Sequence, residues 1–219
     1  MSVCFDRVKP LVDETVRRLS VKSFRDDPIA GSRYARSTSI VSSAYKRHGK
    51  ILEAALFERL RDNNRLDVWS DPTFAVSGAA DGLVHSSSRE DCFKSQLPYG
   101  EAKRTVQVDI VVYDNVNRSL RTYEVKRGNG DHDAGKVRSI MRDLICTHVL
   151  LKSYGGARGH TVDHSEAKII YYYGVRSIAA PISLIREELD DHFQYPVVEA
   201  VEQVNTYFKD RVHDLLNAH

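Results

Sequence analysis

Two neighbouring apolar segments between residues 106 and 126 constrain the fold of this chain more than any other feature. The segments VQVDIVVY (106–113) and SLRTYEVK (119–126) are rich in β-branched and aromatic residues, and the polar run DNVNR separates them. This pattern predicts a β-hairpin that ends before the glycines at 128 and 130. Because a hairpin must bury its apolar side chains against other elements, the surrounding segments decide the fold class.

Helical patterns flank this hairpin along the chain. Five segments are predicted to be helices, mostly because apolar residues recur in them at helical spacing: 3–20, 38–61, 134–152, 182–193 and 196–217. Short strands are predicted at 73–76, 82–84 and 167–173, and a long surface loop at 85–104. The order predicts an α/β (α+β) fold with a central mixed β-sheet and helices on both faces.

The 219 residues suit one domain of ordinary size with an N-terminal appendage. We expect residues 1–37 to form an N-terminal helix and linker, and residues 38–219 to form the main domain with C-terminal helices. The net charge of +2 does not by itself indicate a nucleic-acid binder. Carboxylates gathered at a metal site offset a local basic patch, so local clustering is more informative than the sum.

Cysteine usage and hydropathy bear on the compartment. The three cysteines are widely spaced, which argues against a disulfide scaffold and for a reducing environment. The N-terminal residues are charged throughout, and no apolar run approaches the ~18 residues of a membrane span. We therefore expect a soluble, cytoplasmic protein with no membrane partner. A glycine-rich loop for a nucleotide cofactor is absent from the sequence.

The hairpin carries the residues with the clearest chemistry. Asp109 lies among apolar neighbours, where a charge is costly unless it is paired. Glu124 and Lys126 are two apart on one strand, so their side chains share a face. Two carboxylates and an ammonium group can thus converge, and convergent carboxylates bind a hard cation such as Mg²⁺ or Mn²⁺. The lysine can orient or help deprotonate an attacking water.

Ordinary structural interpretations exist beside this one. Asp109 could be a strand-end or bulge residue paired with a core arginine, and Glu124 with Lys126 could be a same-face pair on an exposed strand surface. A zinc site is less well supported, because Cys146-Thr147-His148 and His160-x-x-x-His164 lack a second pair at structural-site spacing.

The hairpin resembles the PD-(D/E)XK nuclease superfamily. The resemblance rests on Asp109, fourteen further residues and then Glu124-Val125-Lys126 on an apolar hairpin. It implies a restriction-endonuclease-like core in which Asp109, Glu124 and the Val125 carbonyl bind the metal while Lys126 assists catalysis. Val108 stands where the name-giving proline would be, a departure that is frequent in the superfamily.

A second resemblance lies upstream, in RHGKILEAALFERL (47–60). Holliday-junction resolvases and Mrr-like restriction nucleases have a similar glycine four residues before a glutamate on the helix that precedes the sheet. Gly49 and Glu53 occupy these positions here. The resemblance implies that Glu53 joins the metal site and catalysis, whereas an ordinary solvated helix glutamate is the alternative.

Basic residues follow the hairpin. The resemblance implies that such positions line the phosphate track of bound DNA and that Gly128 lets the DNA backbone approach. The nucleic-acid-binding candidates are Arg127, Gly128, Lys136, Arg138 and Arg142. A solvated helix face is the alternative for each of the charged ones.

Together these resemblances imply a Mg²⁺-dependent endodeoxyribonuclease, with Mn²⁺ as a substitute, that hydrolyses phosphodiester bonds as a homodimer. One alternative is a structure-specific repair or recombination nuclease of the resolvase kind. Another is a catalytically inactive nucleic-acid-binding module of the same fold.

Overall fold

The computed structural model describes residues 3–21, 28–29 and 31–218. In chain order the elements are α1 (Val3–Ser20), α2 (Gly31–Arg61), β1 (Leu66–Val76), α3 (Gly78–Ser86), α4 (Arg89–Lys94), β2 (Arg104–Asp114), β3 (Ser119–Lys126), α5 (Ala134–Ala157), β4 (His164–Tyr171), β5 (Ser183–Ile185), α6 (Leu189–Phe193) and α7 (Val198–Asn217). The chain divides into two compact units, one of residues 63–189 and one of residues 1–62 with 190–219.

The helical unit, residues 1–62 with 190–219, is built from α1, α2 and α7, which pack on one another. The Tyr207 hydroxyl donates to the Asp13 carboxylate at 2.6 Å, joining α7 to α1. The predicted helix from about residue 38 begins earlier, at Gly31, so residue 37 lies inside α2. The predicted linker falls partly on residues 22–27 and 30, outside the described residues. The division into segments 1–37 and 38–219 stays a prediction.

The sheet unit, residues 63–189, contains a five-stranded mixed sheet in the order β1-β2-β3-β4-β5. Its first three strands are antiparallel neighbours, and β4 and β5 continue in parallel. The helix α5 is the crossover between the parallel strands β3 and β4. The chain is therefore an α+β protein with a mixed sheet flanked by helices.

The predicted hairpin is confirmed. Strands β2 and β3 pair in register from Asp114 opposite Ser119 to Ile110 opposite Tyr123. Helix α5 buries an apolar face against this part of the sheet, in a core that includes Val111, Tyr113, Leu120, Leu144, Val149 and Tyr154. The ladder ends at Ile110 opposite Tyr123, and β3 continues beyond it to Lys126.

Three local predictions are wrong. Residues 82–84 belong to α3, which Ser77 caps by accepting from the Ala80 N–H at 3.1 Å. The predicted loop at 85–104 contains α4, and the predicted helix at 182–193 begins with β5. Short apolar runs carry too few residues for periodicity to separate strand from helix.

Two β-bulges interrupt the pairing of β1 with β2. The partners Trp69–Val111, Asp71–Val108 and Phe74–Val106 show an extra residue first in β2 and then in β1. The β1 irregularity contains Pro72, whose missing N–H is tolerated at a bulge. The β2 bulge contains Asp109, and bulges re-aim side chains beside functional sites.

No described helix has both the length and the apolar character that crossing a membrane requires.

Candidate active site

Asp109 is 6% exposed in β2. One carboxylate oxygen accepts from the Gln107 side-chain amide at 3.0 Å, and the other accepts from the Val125 backbone N–H at 2.9 Å. Its partners in the described part of the chain are thus amide donors rather than a core arginine. These two bonds satisfy the buried acid and aim it at β3.

Glu124 and Lys126 lie on the same face of β3, as the strand period requires. They form an ion pair with each other, and their side chains are 25% and 28% exposed. Both side chains are therefore partly accessible to solvent, although their positions are fixed by the strand backbone. The pair is compatible with a structural role and with a site that exchanges the ion pair for a ligand.

The hairpin brings Asp109 beside this pair. The last paired residues are Ile110 and Tyr123, so Asp109 and Glu124 are the next residues on adjacent strands. The Val125 N–H donates to the Asp109 carboxylate instead of to a backbone carbonyl of β2. Two carboxylates and an ammonium group therefore occupy one end of the hairpin.

The oxygen donors at this end of the hairpin are of the kind that Mg²⁺ prefers. No cluster of three His, Cys, Asp or Glu side chains suited to a metal occurs among residues 3–21, 28–29 and 31–218. Mg²⁺ commonly uses only one or two carboxylates and keeps several waters. The Val125 N–H faces Asp109, and its carbonyl points to the same side of the strand. Asp109, Glu124 and this carbonyl are the oxygen ligands available.

Glu53 lies on α2 in the helical unit. Its carboxylate forms an ion pair with Lys50 at 2.7 Å, and the side chain is 21% exposed. A Cβ added to Gly49 would meet no atom of the described residues within 4 Å, so the glycine is not required there by a close neighbour on that side. Participation of Glu53 in the metal site stays a prediction.

Gly128 has a structural requirement of its own. Its φ of +66° lies in the left-handed region, and an added Cβ would lie 2.7 Å from the Tyr171 Cβ. The Gly128 carbonyl also accepts from the Val175 N–H at 2.8 Å. The glycine therefore lets the chain leave β3 tightly against β4, whether or not DNA approaches it.

The predicted basic residues fall into different surroundings. The Arg127 guanidinium lies 5.7 Å from the centre of the Tyr173 ring. Lys136 and Arg138 are exposed in the first turns of α5. Arg142 forms an ion pair with Asp81 at 2.7 Å, although half of its side chain remains exposed.

Asp81 was not identified from the sequence. It is 8% exposed in α3 and accepts from Arg104 at 3.1 Å as well as from Arg142. Burial opposes ionisation, but the hydrogen bonds from the two arginines outweigh it and hold the Asp81 pKa below its usual value. The sequence around Asp81, GAADGLV, does not indicate these ion pairs, because both arginines are distant along the chain.

His132 lies in the loop between β3 and α5. Its backbone N–H donates to the Ser177 hydroxyl at 2.9 Å, and its ring is 5.9 Å from the Tyr171 ring. Burial, followed by the charges of Lys136 and Lys126, lowers the pKa of His132. The backbone hydrogen bond to Ser177 anchors this part of the loop.

A cavity of about 310 Å³ opens beside Glu124. It lies between β2 and β3 beyond the end of their ladder, and residues of α5 form its other wall. Its lining comprises Arg104, Thr105, Val106, Gln107, Val108, Thr122, Tyr123, Glu124, Ile140, Asp143, Leu144 and Thr147.

The site thus joins two acids, a lysine and a cavity at one end of the hairpin. Comparison with protein-family models, curated proteins and solved structures finds no match for this chain.

Proposed function

We propose that this protein is a Mg²⁺-dependent DNA endonuclease of the PD-(D/E)XK kind, with a restriction-endonuclease-like core and helices on both sheet faces. The observation that carries the proposal is the Asp109 carboxylate held against Val125, between Glu124 and Lys126. This arrangement gathers hard oxygen donors and a cation on a rigid hairpin. Mn²⁺ fits the same donors.

Each residue has a distinct part in the proposed reaction. Asp109 and Glu124, with the Val125 carbonyl, would hold the metal. When bound, the metal polarises the phosphodiester and lowers the pKa of a coordinated water. Lys126 contributes positive charge to the attacking water and to the phosphate as negative charge develops on it.

The proposed DNA path continues from the hairpin to the start of α5. Arg127, Lys136 and Arg138 supply positive charge along it, and Arg142 does so while held by Asp81. Contacts of this kind position the phosphate backbone without reading sequence. Gly128 keeps the loop close to β4 at the end of the strand.

Cleavage of a panel of plasmid and branched DNA with Mg²⁺ or Mn²⁺ tests the proposal. We compare the wild type with Asp109→Asn, and use Glu166→Gln as the control. Glu166 is also an acid of the sheet, but it pairs at 3.7 Å with Arg121 and lies opposite it in the register, toward the hairpin turn. Metal-dependent products that disappear only in Asp109→Asn support the nuclease.

The product pattern separates the alternatives. Discrete plasmid fragments support a restriction-type enzyme, and cuts confined to branched DNA support a structure-specific nuclease. DNA binding without Mg²⁺ binding or cleavage identifies the inactive module and overturns the proposed activity. A homodimer, proposed so that two strands are cut, is tested by sedimentation of the full chain.

A further inference from the structure

The cavity beside Glu124 arises from the divergence of two strands. The ladder of β2 with β3 ends at Ile110 opposite Tyr123, yet β2 extends back to Arg104 along β1. The gap that opens between β2 and β3 is bounded by one face of α5, including Ile140 and Leu144. A space of about 310 Å³ lies at the low end of the roughly 300–1,000 Å³ typical of small-ligand sites.

The lining combines apolar side chains with polar and charged ones in about equal share. Val106, Val108, Ile140 and Leu144 form the walls. Gln107 and Asp143 add hydrogen-bonding groups, and the Asp143 carboxylate is 40% exposed while paired with Arg104 at 2.7 Å. Planar heterocycles with apolar faces and polar edges match such a lining.

Thr122 supplies a second, independent observation on this cavity. This cavity-lining residue is 2% exposed, and its hydroxyl has no hydrogen-bond partner in the part of the chain that the structure describes. A buried hydroxyl without a partner costs about 1–3 kcal/mol. The oxygen itself is enclosed by protein atoms, so a polar ligand edge would satisfy it once the Thr122 side chain rotates toward the cavity.

We propose that the cavity receives one unpaired nucleotide of the DNA substrate, next to the phosphodiester held at Glu124. The identity of the occupant rests on the proposed nuclease function: Glu124 lines the cavity, so a nucleoside joined to a phosphate held at Glu124 would lie against it. A base that is stacked and paired inside a duplex cannot reach into a recess between a sheet and a helix. The substrate class is therefore DNA with an unpaired base at the cut, such as a flap, an overhang or a bulge.

Asp143 and Arg104 determine what edge the cavity accepts. Arg104 also bonds to Asp81, so its guanidinium holds both acids and offsets the Asp143 charge. The Asp143 carboxylate accepts hydrogen bonds only, which favours the N–H groups that every nucleobase carries on its polar edge. The cavity thus binds a base by shape and by a donor edge.

The direct test titrates the full, metal-free chain with each of the four deoxynucleoside 5′-monophosphates and follows backbone amides by NMR. We expect saturable shifts at Thr122 and Leu144 with at least one nucleotide. Ile140→Phe fills the cavity and should weaken binding roughly tenfold or more, about 1.4 kcal/mol. Val137→Phe is the matched control, since Val137 packs on the same core without lining the cavity.

Thr122→Val provides a second variant that does not depend on filling space. Removing the unpartnered hydroxyl should leave the free energy of unfolding unchanged or raised, while nucleotide affinity falls several-fold. A purely structural threonine would not separate these two quantities. Equal affinity in Ile140→Phe and wild type, or the same shifts with inorganic phosphate alone, overturns the proposal.

Failure of this inference is distinguishable from failure of the nuclease. Cleavage of fully paired DNA without nucleotide binding keeps the nuclease and removes the nucleotide pocket. Nucleotide binding at Thr122 and Leu144 without cleavage of any DNA keeps the pocket and removes the nuclease.

Discussion

The Asp109 carboxylate accepts the backbone N–H of Val125 at 2.9 Å, so the acid of one strand is attached to the residue between Glu124 and Lys126 on the next. This bond satisfies a buried charge and at the same time fixes its distance from the other acid. Local stability and the geometry of the proposed site therefore depend on the same contact.

Substitutions at Asp109 should separate these two roles. Asp109→Asn keeps an oxygen acceptor for Val125 but lacks the charge, whereas Asp109→Ala leaves a buried N–H unpaired. We expect both variants to lose metal-dependent cleavage by roughly a hundredfold or more. Urea unfolding should show a loss of about 1–3 kcal/mol for Asp109→Ala and less for Asp109→Asn. Equal destabilisation would show that the Val125 bond contributes little.

Two glycines in one loop provide a matched pair. Gly128→Ala introduces a Cβ 2.7 Å from the Tyr171 Cβ at a φ of +66°, whereas Gly130 has open space. We expect Gly128→Ala to lower the free energy of unfolding by about 2 kcal/mol or more, and Gly130→Ala to change it by less than about 0.5 kcal/mol. Chemical denaturation measures both values. A tolerated alanine at 128 would contradict the close approach to Tyr171.

The sequence predicted the hairpin because strand alternation and turn residues are local signals. It also placed Asp109 and Glu124 together, since hairpin register follows from a short turn. The bulge at Asp109 was not predicted, because it depends on pairing with β1, about 40 residues away. The Asp81 contacts and the cavity were missed for a similar reason: they depend on where α3 and α5 pack.

The buried acid Asp81 should give a pH-dependent contribution to stability. Its folded-state pKa is held below the usual aspartate value, so the stabilisation is complete above about pH 4 and is lost as pH falls through the lowered pKa. At pH 7 we expect Asp81→Asn to lower the free energy of unfolding by about 1–3 kcal/mol, because the two arginines lose their buried charged partner. The loss stays in this range because Arg142 is half exposed and its ion pair is screened by solvent. The difference from wild type should shrink below pH 4.

An exposed pair provides the control for Asp81. Glu90 lies on α4 and pairs with Lys94 at 2.6 Å, with both side chains more than half exposed. Glu90→Gln should change stability by less than about 0.5 kcal/mol at any pH. A difference between Asp81→Asn and wild type that persists at pH 2–3 would show that packing, not charge, holds Asp81.

The salt dependence of DNA binding should identify the face that contacts phosphates. Lys136 and Arg138 are exposed at the start of α5, beyond the loop that follows Lys126. If each neutralises one phosphate, alanine at either position lowers the slope of log affinity against log salt by about one. Fluorescence anisotropy with Ca²⁺ in place of Mg²⁺ measures this slope, since Ca²⁺ occupies oxygen sites and commonly does not support hydrolysis.

Arg118 is the matched control for these two residues. It carries the same charge and is 54% exposed, but it lies in the hairpin turn, at the opposite end of β3 from Lys126. Arg118→Gln should leave the salt slope unchanged, because a charge that contacts no phosphate releases no counterion. If all three variants lowered the slope equally, the net field of the protein would drive binding, and the start of α5 would not be the DNA-binding face.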